Sequence, residues 1–159
     1  MGTGHEIAMS LRAAYLAMHR ASNAPLAGEG VTADQFVALA VLAQEDGITQ
    51  QALVRRTSSD PNTIRAMLVL LERRGLVARK RHPSDGRARS VVLTEKGRRT
   101  YAKLRTKSQA VRERLVGLFR PDEARMLIEF LGRISENMTD RKRHGREAGI
   151  AQAEQSGNQ

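Results

Sequence analysis

At 159 residues the chain is one domain of ordinary size, and 40% hydrophobic residues with only 3% aromatic and no Trp call for an aliphatic, helix-favouring core. The absence of cysteine excludes disulfides, thiolate metal sites and a thiol redox sensor, and His5, His19, His82 and His144 show no metal-ligand spacing, so neither metal nor cofactor is expected. The net charge of +10 is concentrated: residues 49–120 hold 19 basic against 5 acidic groups, while both flanks are slightly acidic, which is the footprint of a polyanion-binding surface.

In chain order, Ile7, Leu11, Ala14 and Met18 form one helical stripe, so a first helix is predicted from about Glu6 to Ala21. The N-terminal MGTGHEIAMS lacks a basic stretch followed by an apolar one. No apolar run approaches the ~18 residues a membrane span needs. A cytoplasmic chain with no membrane partner is expected. Residues 23–30 break the helix. Thr32 then caps a second helix with Gln35 at the capping-box position, and Phe36, Leu39, Ala40 and Ala43 are its predicted buried face. Asp46-Gly47 stops it.

Thr49 caps a short third helix, Gln50 to about Arg56. Asp60-Pro61 opens a fourth, with Asp as N-cap and Pro at the first helical position. Ile64, Met67, Leu68 and Leu71 form its apolar face, and Gly75 ends it. The period then changes. Residues 76–81 and 90–93 read as strands joined by a turn at His82-Pro83-Ser84-Asp85-Gly86, a hairpin. Thr94 caps a long fifth helix reaching about Leu118, with a heptad-like seam of Tyr101, Leu104, Ser108, Val111, Leu115 and Leu118. Pro121 opens a sixth, where Leu127, Leu131, Ile134 and Met138 repeat the pattern. After Arg141 the composition turns polar, and disorder is expected over 141–159.

A short helix, a tight turn, a second helix and a basic hairpin follow one another over residues 49–93. This is the order of a helix-turn-helix with a wing, whose second helix can enter a major groove. The N-terminal residues of that helix are Pro61, Asn62, Thr63 and Arg65. Asn pairs with adenine, Arg with guanine, and Thr meets a thymine methyl or a phosphate. Lys80, Arg81, Arg87 and Arg89 lie on or near the hairpin, and an arginine at a loop tip reaches a narrow minor groove. Thr49, Ser58, Ser59 and Asp85 complete the candidate DNA-binding set. The class is mainly α with a small β-hairpin wing.

Gly75-Leu76-Val77, Asp85-Gly86-Arg87 and Val92-Leu93-Thr94-Glu95-Lys96-Gly97 resemble the MarR family, the multiple-antibiotic-resistance type of regulator. The family's wing pattern is Asp-x-Arg, Leu-Thr six residues on, and Gly three after that, and this spacing is kept. The resemblance covers about residues 5–140. It implies a single domain with a winged lobe at 32–93 and dimerisation helices at 5–22 and 94–140. It also implies a homodimer whose two lobes straddle a palindromic site on double-stranded DNA, with Arg87 in the minor groove and Asp85 orienting the wing. Two positions depart from the pattern. The turn reads Thr57-Ser58-Ser59 where the family usually has an apolar residue, Gly and another apolar residue, and Ala66 stands where the family often has Arg.

The resemblance further implies a pocket for a small phenolic or aromatic ligand. Arg12, Tyr15 and His19 share one face of the first helix beside its apolar seam. A cation, a phenol and an imidazole there suit an aromatic acid, with Phe36 closing one side. The reading is a regulator, in the first instance a repressor released by such a ligand, and not an enzyme. No Gly-rich phosphate loop or Ser/His/Asp set is present, and Asp122-Glu123 suits a helix N-terminus. A non-specific nucleoid-type DNA-binding protein and a winged-helix adaptor that binds protein remain the alternatives.

Overall fold

The computed structural model describes residues 2–81, 84 and 89–155, with side chains as far as Met138. The elements run α1 (Thr3–Asn23), a 3-10 turn (Ala27–Glu29), α2 (Ala33–Gln44), β1 (Ile48–Thr49), α3 (Gln50–Thr57), α4 (Pro61–Arg73), β2 (Val77–Arg81), β3 (Arg89–Leu93), α5 (Glu95–Lys107), α6 (Gln109–Val116) and α7 (Pro121–Gln155). The fold is mainly α with a winged helix-turn-helix, as expected. Residues 1–112 and 113–159 form separate compact units.

Local chemistry sets most of these boundaries. The Thr32 side chain accepts from the Gln35 amide while Gln35 Oε1 accepts from the Thr32 amide, a complete capping box. Gly75 takes a left-handed φ of +68° directly after α4, and the Leu76 amide donates back to the Leu71 carbonyl at 2.9 Å. Ile64, Met67, Leu68 and Leu71 are the buried residues of α4, the face the sequence predicts. On α2 the buried face differs. Ala38, Leu39 and Leu42 are inside while Ala43 is exposed, because the helix meets α3, α5 and β3 rather than one neighbour.

Strand β1 is absent from the sequence reading. It pairs antiparallel with β3, so the three-stranded sheet has the order β1-β3-β2. Two residues are too few to show an alternating pattern. The fifth helix predicted to run to about Leu118 is interrupted at Ser108, whose φ of −86° and ψ of 0° close α5. The Ser108 hydroxyl donates to the Arg105 carbonyl at 3.2 Å and accepts from Arg112 Nη1 at 2.6 Å. Upstream of that break the predicted seam belongs to the lobe. Leu104 is fully buried in the core, with Tyr101 packed against it. α7 continues past Arg141 to Gln155; Ala, Glu, Gln and Arg are good helix formers, so polarity alone does not end a helix.

Gly97 joins the wing to α5. A Cβ there would lie 2.0 Å from the Leu76 carbonyl oxygen, so only glycine fits. The Thr94 hydroxyl accepts from the Gly97 amide at 2.9 Å and donates to the Gly75 carbonyl at 2.6 Å. This one side chain therefore stitches the end of α4, the end of β3 and the start of α5.

Candidate nucleic-acid interface

Residues 49–73 form two capped helices around a tight turn. The Thr49 hydroxyl accepts from the Ala52 amide at 3.1 Å and starts α3. Thr57 closes it by donating its hydroxyl to the Leu53 carbonyl at 2.8 Å. Ser58 then adopts a left-handed φ of 53°, the one non-glycine to do so among the described residues. An L-residue pays about 1–2 kcal/mol for this conformation. Its side chain is exposed and makes no hydrogen bond among the described residues, whereas the half-buried Ser59 donates to the Thr57 carbonyl at 3.4 Å.

Asp60 governs the start of α4. One carboxylate oxygen accepts from the Asn62 amide at 3.0 Å and the Thr63 amide at 2.9 Å, and the other accepts from the Thr63 hydroxyl. The Thr63 hydroxyl first, then the Thr63 and Asn62 amides, hold this carboxyl below its usual range. Pro61 has no amide hydrogen and the Ile64 amide bonds back to Asp60. The helix terminus is thus already occupied and is no open phosphate cradle. Any contact to DNA at this end therefore falls to side chains.

With Ile64, Met67, Leu68 and Leu71 sealed inside, Pro61, Asn62, Thr63 and Arg65 are all exposed. Asn62, Arg65, Ala66, Val69 and Arg73 fall at spacings of three and four along the outward face. Thr63 spends its hydroxyl hydrogen on Asp60. Arg65 makes no ion pair with the described residues and remains available for a base edge. Arg55 and Arg56, in the last turn of α3, are also exposed. Arg56 pairs with Glu45, and Arg55 is unpaired among the described residues. Neither belongs to the candidate set drawn from the sequence, where the only signal for them is a double arginine next to the turn.

The profile of the MarR family matches residues 31–88. A transcriptional repressor of Mycobacterium bovis, Mb2911, is 34% identical over 109 residues, spanning 66% of this chain and 78% of that protein. The chain belongs to the MarR family. The structure of a transcriptional repressor, CouR, bound to a 23-mer DNA duplex is 31% identical, with a TM-score of 0.71 over 79% of this chain and 89% of that one. Bordetella bronchiseptica BpsR, whose DNA binding is regulated by 6-hydroxynicotinic acid, is 25% identical, with a TM-score of 0.72 over 82% and 98% of the two chains. The protein is a MarR-family transcriptional regulator, and this is a family of regulators rather than enzymes.

In this MarR-family chain the sheet ties the wing to the helix-turn-helix. Thr49 pairs with Ser90, which pairs in turn with Lys80, so one residue of each strand lies in a single row. Arg81 faces Arg89 across the hairpin, and Lys80, Arg81 and Arg89 are exposed. Arg79 is different. Its guanidinium is mostly covered, with Nε 3.5 Å from a Glu72 carboxylate oxygen on α4. It braces the wing against the helix. Asp85 and Arg87, the candidate wing-tip residues, lie outside the described residues.

The four candidate ligand residues do not form one enclosed site in the single chain. Arg12 is exposed, and Tyr15 is 53% exposed with its ring 5.6 Å from that of His19. His19 Nδ1 lies 3.0 Å from Asn23 Nδ2, and Nε2 lies 3.5 Å from an Asp34 carboxylate oxygen. Phe36 stacks on Tyr101 at 5.7 Å, because the first turns of α5 lie over α2.

Proposed function

We propose that this regulator is a homodimeric, sequence-specific repressor. It reads a palindromic operator with α4 in successive major grooves and the wing along the flanking backbone, Arg87 entering the minor groove and Asp85 orienting it. One observation carries the reading. Asn62 and Arg65 stand on the outward stripe of a helix whose opposite face is sealed, beside exposed Lys80, Arg81 and Arg89. Asn62 and Arg65 read base edges. Ser58, Thr49, Lys80, Arg81 and Arg89 supply phosphate contacts that set register and affinity, while the Ser59 hydroxyl and amide are already given to Thr57 and Val54.

The homodimer is supported by α1, which buries none of its side chains within the chain, and by the exposed apolar residues of α7. An effector is an aromatic acid or phenol. BpsR responds to 6-hydroxynicotinic acid, an aromatic acid with a ring hydroxyl, and that chemistry matches Arg12 for the carboxylate and Tyr15 with His19 for the hydroxyl. Such a ligand releases DNA only by preferring the conformation that no longer fits the half-site spacing.

The test is binding to a palindromic duplex, selected by the protein from a randomised pool, and to a scrambled duplex of equal length, over a range of salt. The expected result is a preference of about 10³-fold or more at physiological salt. Equal affinity for both duplexes would support the nucleoid-type alternative instead.

A further inference from the structure

Arg74, which closes α4, reaches back to the connection between α1 and α2. Its Nη1 donates to the Gly30 carbonyl and its Nη2 to the Glu29 carbonyl at 2.7 Å. Gly30 takes a left-handed φ of +64°, a conformation that favours glycine. The Glu29 carboxylate points the other way, onto α5. It accepts from Lys103 Nζ at 3.1 Å and from Lys107, one turn further along. The Glu29 side chain is only 20% exposed. The circuit closes at the Arg74 backbone, whose carbonyl accepts from Lys96 Nζ in the first turn of α5 at 2.8 Å.

Isolated surface ion pairs contribute little. Here four charge-assisted donors from α4 and α5 converge on residues 29, 30 and 74, far apart in sequence, and both ends of the circuit rest on α5. The Arg74 guanidinium commits an N–H of each terminal nitrogen to the Gly30 and Glu29 carbonyls. Its leverage on recognition is geometric. At 1.5 Å per residue, Asn62 lies about 18 Å along the axis from Arg74, so a tilt of about 5° at that end carries Asn62 about 1.5 Å. That is enough to break a base-edge hydrogen bond.

We propose that Glu29 and Arg74 are positioning residues for DNA recognition, fixing the C-terminal end of α4 against α5 through Lys96, Lys103 and Lys107. The proposal rests on α4 being the recognition helix. The experiment uses the full-length chain, with the duplex selected by wild type and a scrambled duplex of equal length. Glu29→Ala and Arg74→Ala are expected to weaken the selected duplex tenfold or more while changing scrambled-duplex binding less than twofold, and to speed amide exchange at residues 72–75. Glu29→Gln, which keeps the shape of the side chain, is expected to fall between. Glu29→Lys combined with Lys103→Glu and Lys107→Glu is expected to recover most of the discrimination, which a generally weakened fold would not. Discrimination within twofold of wild type in both alanine variants, or equal loss on both duplexes, would overturn the positioning role while leaving the DNA-binding reading intact. A wild type that selects no duplex would overturn that reading and the proposal with it.

Discussion

The winged lobe and the helices that flank it are built on different terms. All 16 buried apolar residues among those described lie between Leu26 and Leu104, drawn from α2, α3, α4, the sheet, Leu104 of α5 and the connections from α1 to α2 and from α4 to β2. The lobe therefore has a core of its own. α1 has no buried residue, and α7 exposes Met126, Ile128, Phe130 and Leu131, with Ile128 70% exposed. Apolar residues at helical spacing thus differ within one chain: in the lobe they are buried, and in the flanking helices they stay exposed. Large exposed apolar patches are characteristic of association sites.

The sharpest way to break the comparison is inside the lobe. Gly97→Ala drives a methyl into the Leu76 carbonyl and is expected to cost about 3 kcal/mol or more, lowering the thermal midpoint and abolishing DNA binding. A midpoint unchanged from wild type would show that the wing-to-α5 junction yields easily. The complementary break lies in α7. Leu131→Asp is expected to shift the dimer to monomer in sedimentation at low micromolar concentration while the lobe keeps its helical signal, because Leu131 is not part of the lobe core. An unaltered dimer would move the interface away from this stripe.

Smaller effects sharpen the picture. Ser58→Gly removes a left-handed L-residue at an exposed turn and is expected to stabilise the chain by about 0.5–1 kcal/mol, measured by denaturant unfolding; a loss of stability would mean that the turn is not strained. The smallest effect is in acid. Lys107 and then Lys103 hold the Glu29 carboxyl at about 2, down from the usual 4.5. A depressed native value means the contribution is complete above about 4.5 and is lost as pH falls from there toward 2. Glu29→Gln should flatten this part of the stability profile and leave the neutral range otherwise similar in shape.

Much of the lobe is legible in the sequence because its signals are local. Thr32 with Gln35, Asp60 with Pro61, and Gly75 each announce a helix end within four residues, and Ile64, Met67, Leu68 and Leu71 display the buried face of α4 by spacing alone. What escapes is non-local. β1 exists because Ile48 and Thr49 meet Val91 and Ser90 more than 40 residues away. The break at Ser108 depends on hydrogen bonds to Arg105 and Arg112 that no propensity foretells. Arg74 and Glu29 read as two ordinary charged residues until the fold brings them together. The candidate base-reading residues were found because an N-cap fixes which side chains follow it. The ligand residues were read from one helix face, and Phe36 answers to Tyr101 on a distant helix.

On the proposed reading the outward stripe of α4 reads sequence while the wing strands grip the backbone. It is tested most directly by selecting duplexes from a randomised pool with wild type, Arg65→Ala and Lys80→Ala in parallel, and then measuring the salt dependence of each. Arg65→Ala is expected to relax the preference at one position of each half-site, by about 1–3 kcal/mol, while Lys80→Ala keeps the preferred sequence and lowers the salt slope by about one. An unchanged preferred sequence for Arg65→Ala, together with an altered one for Lys80→Ala, would contradict it.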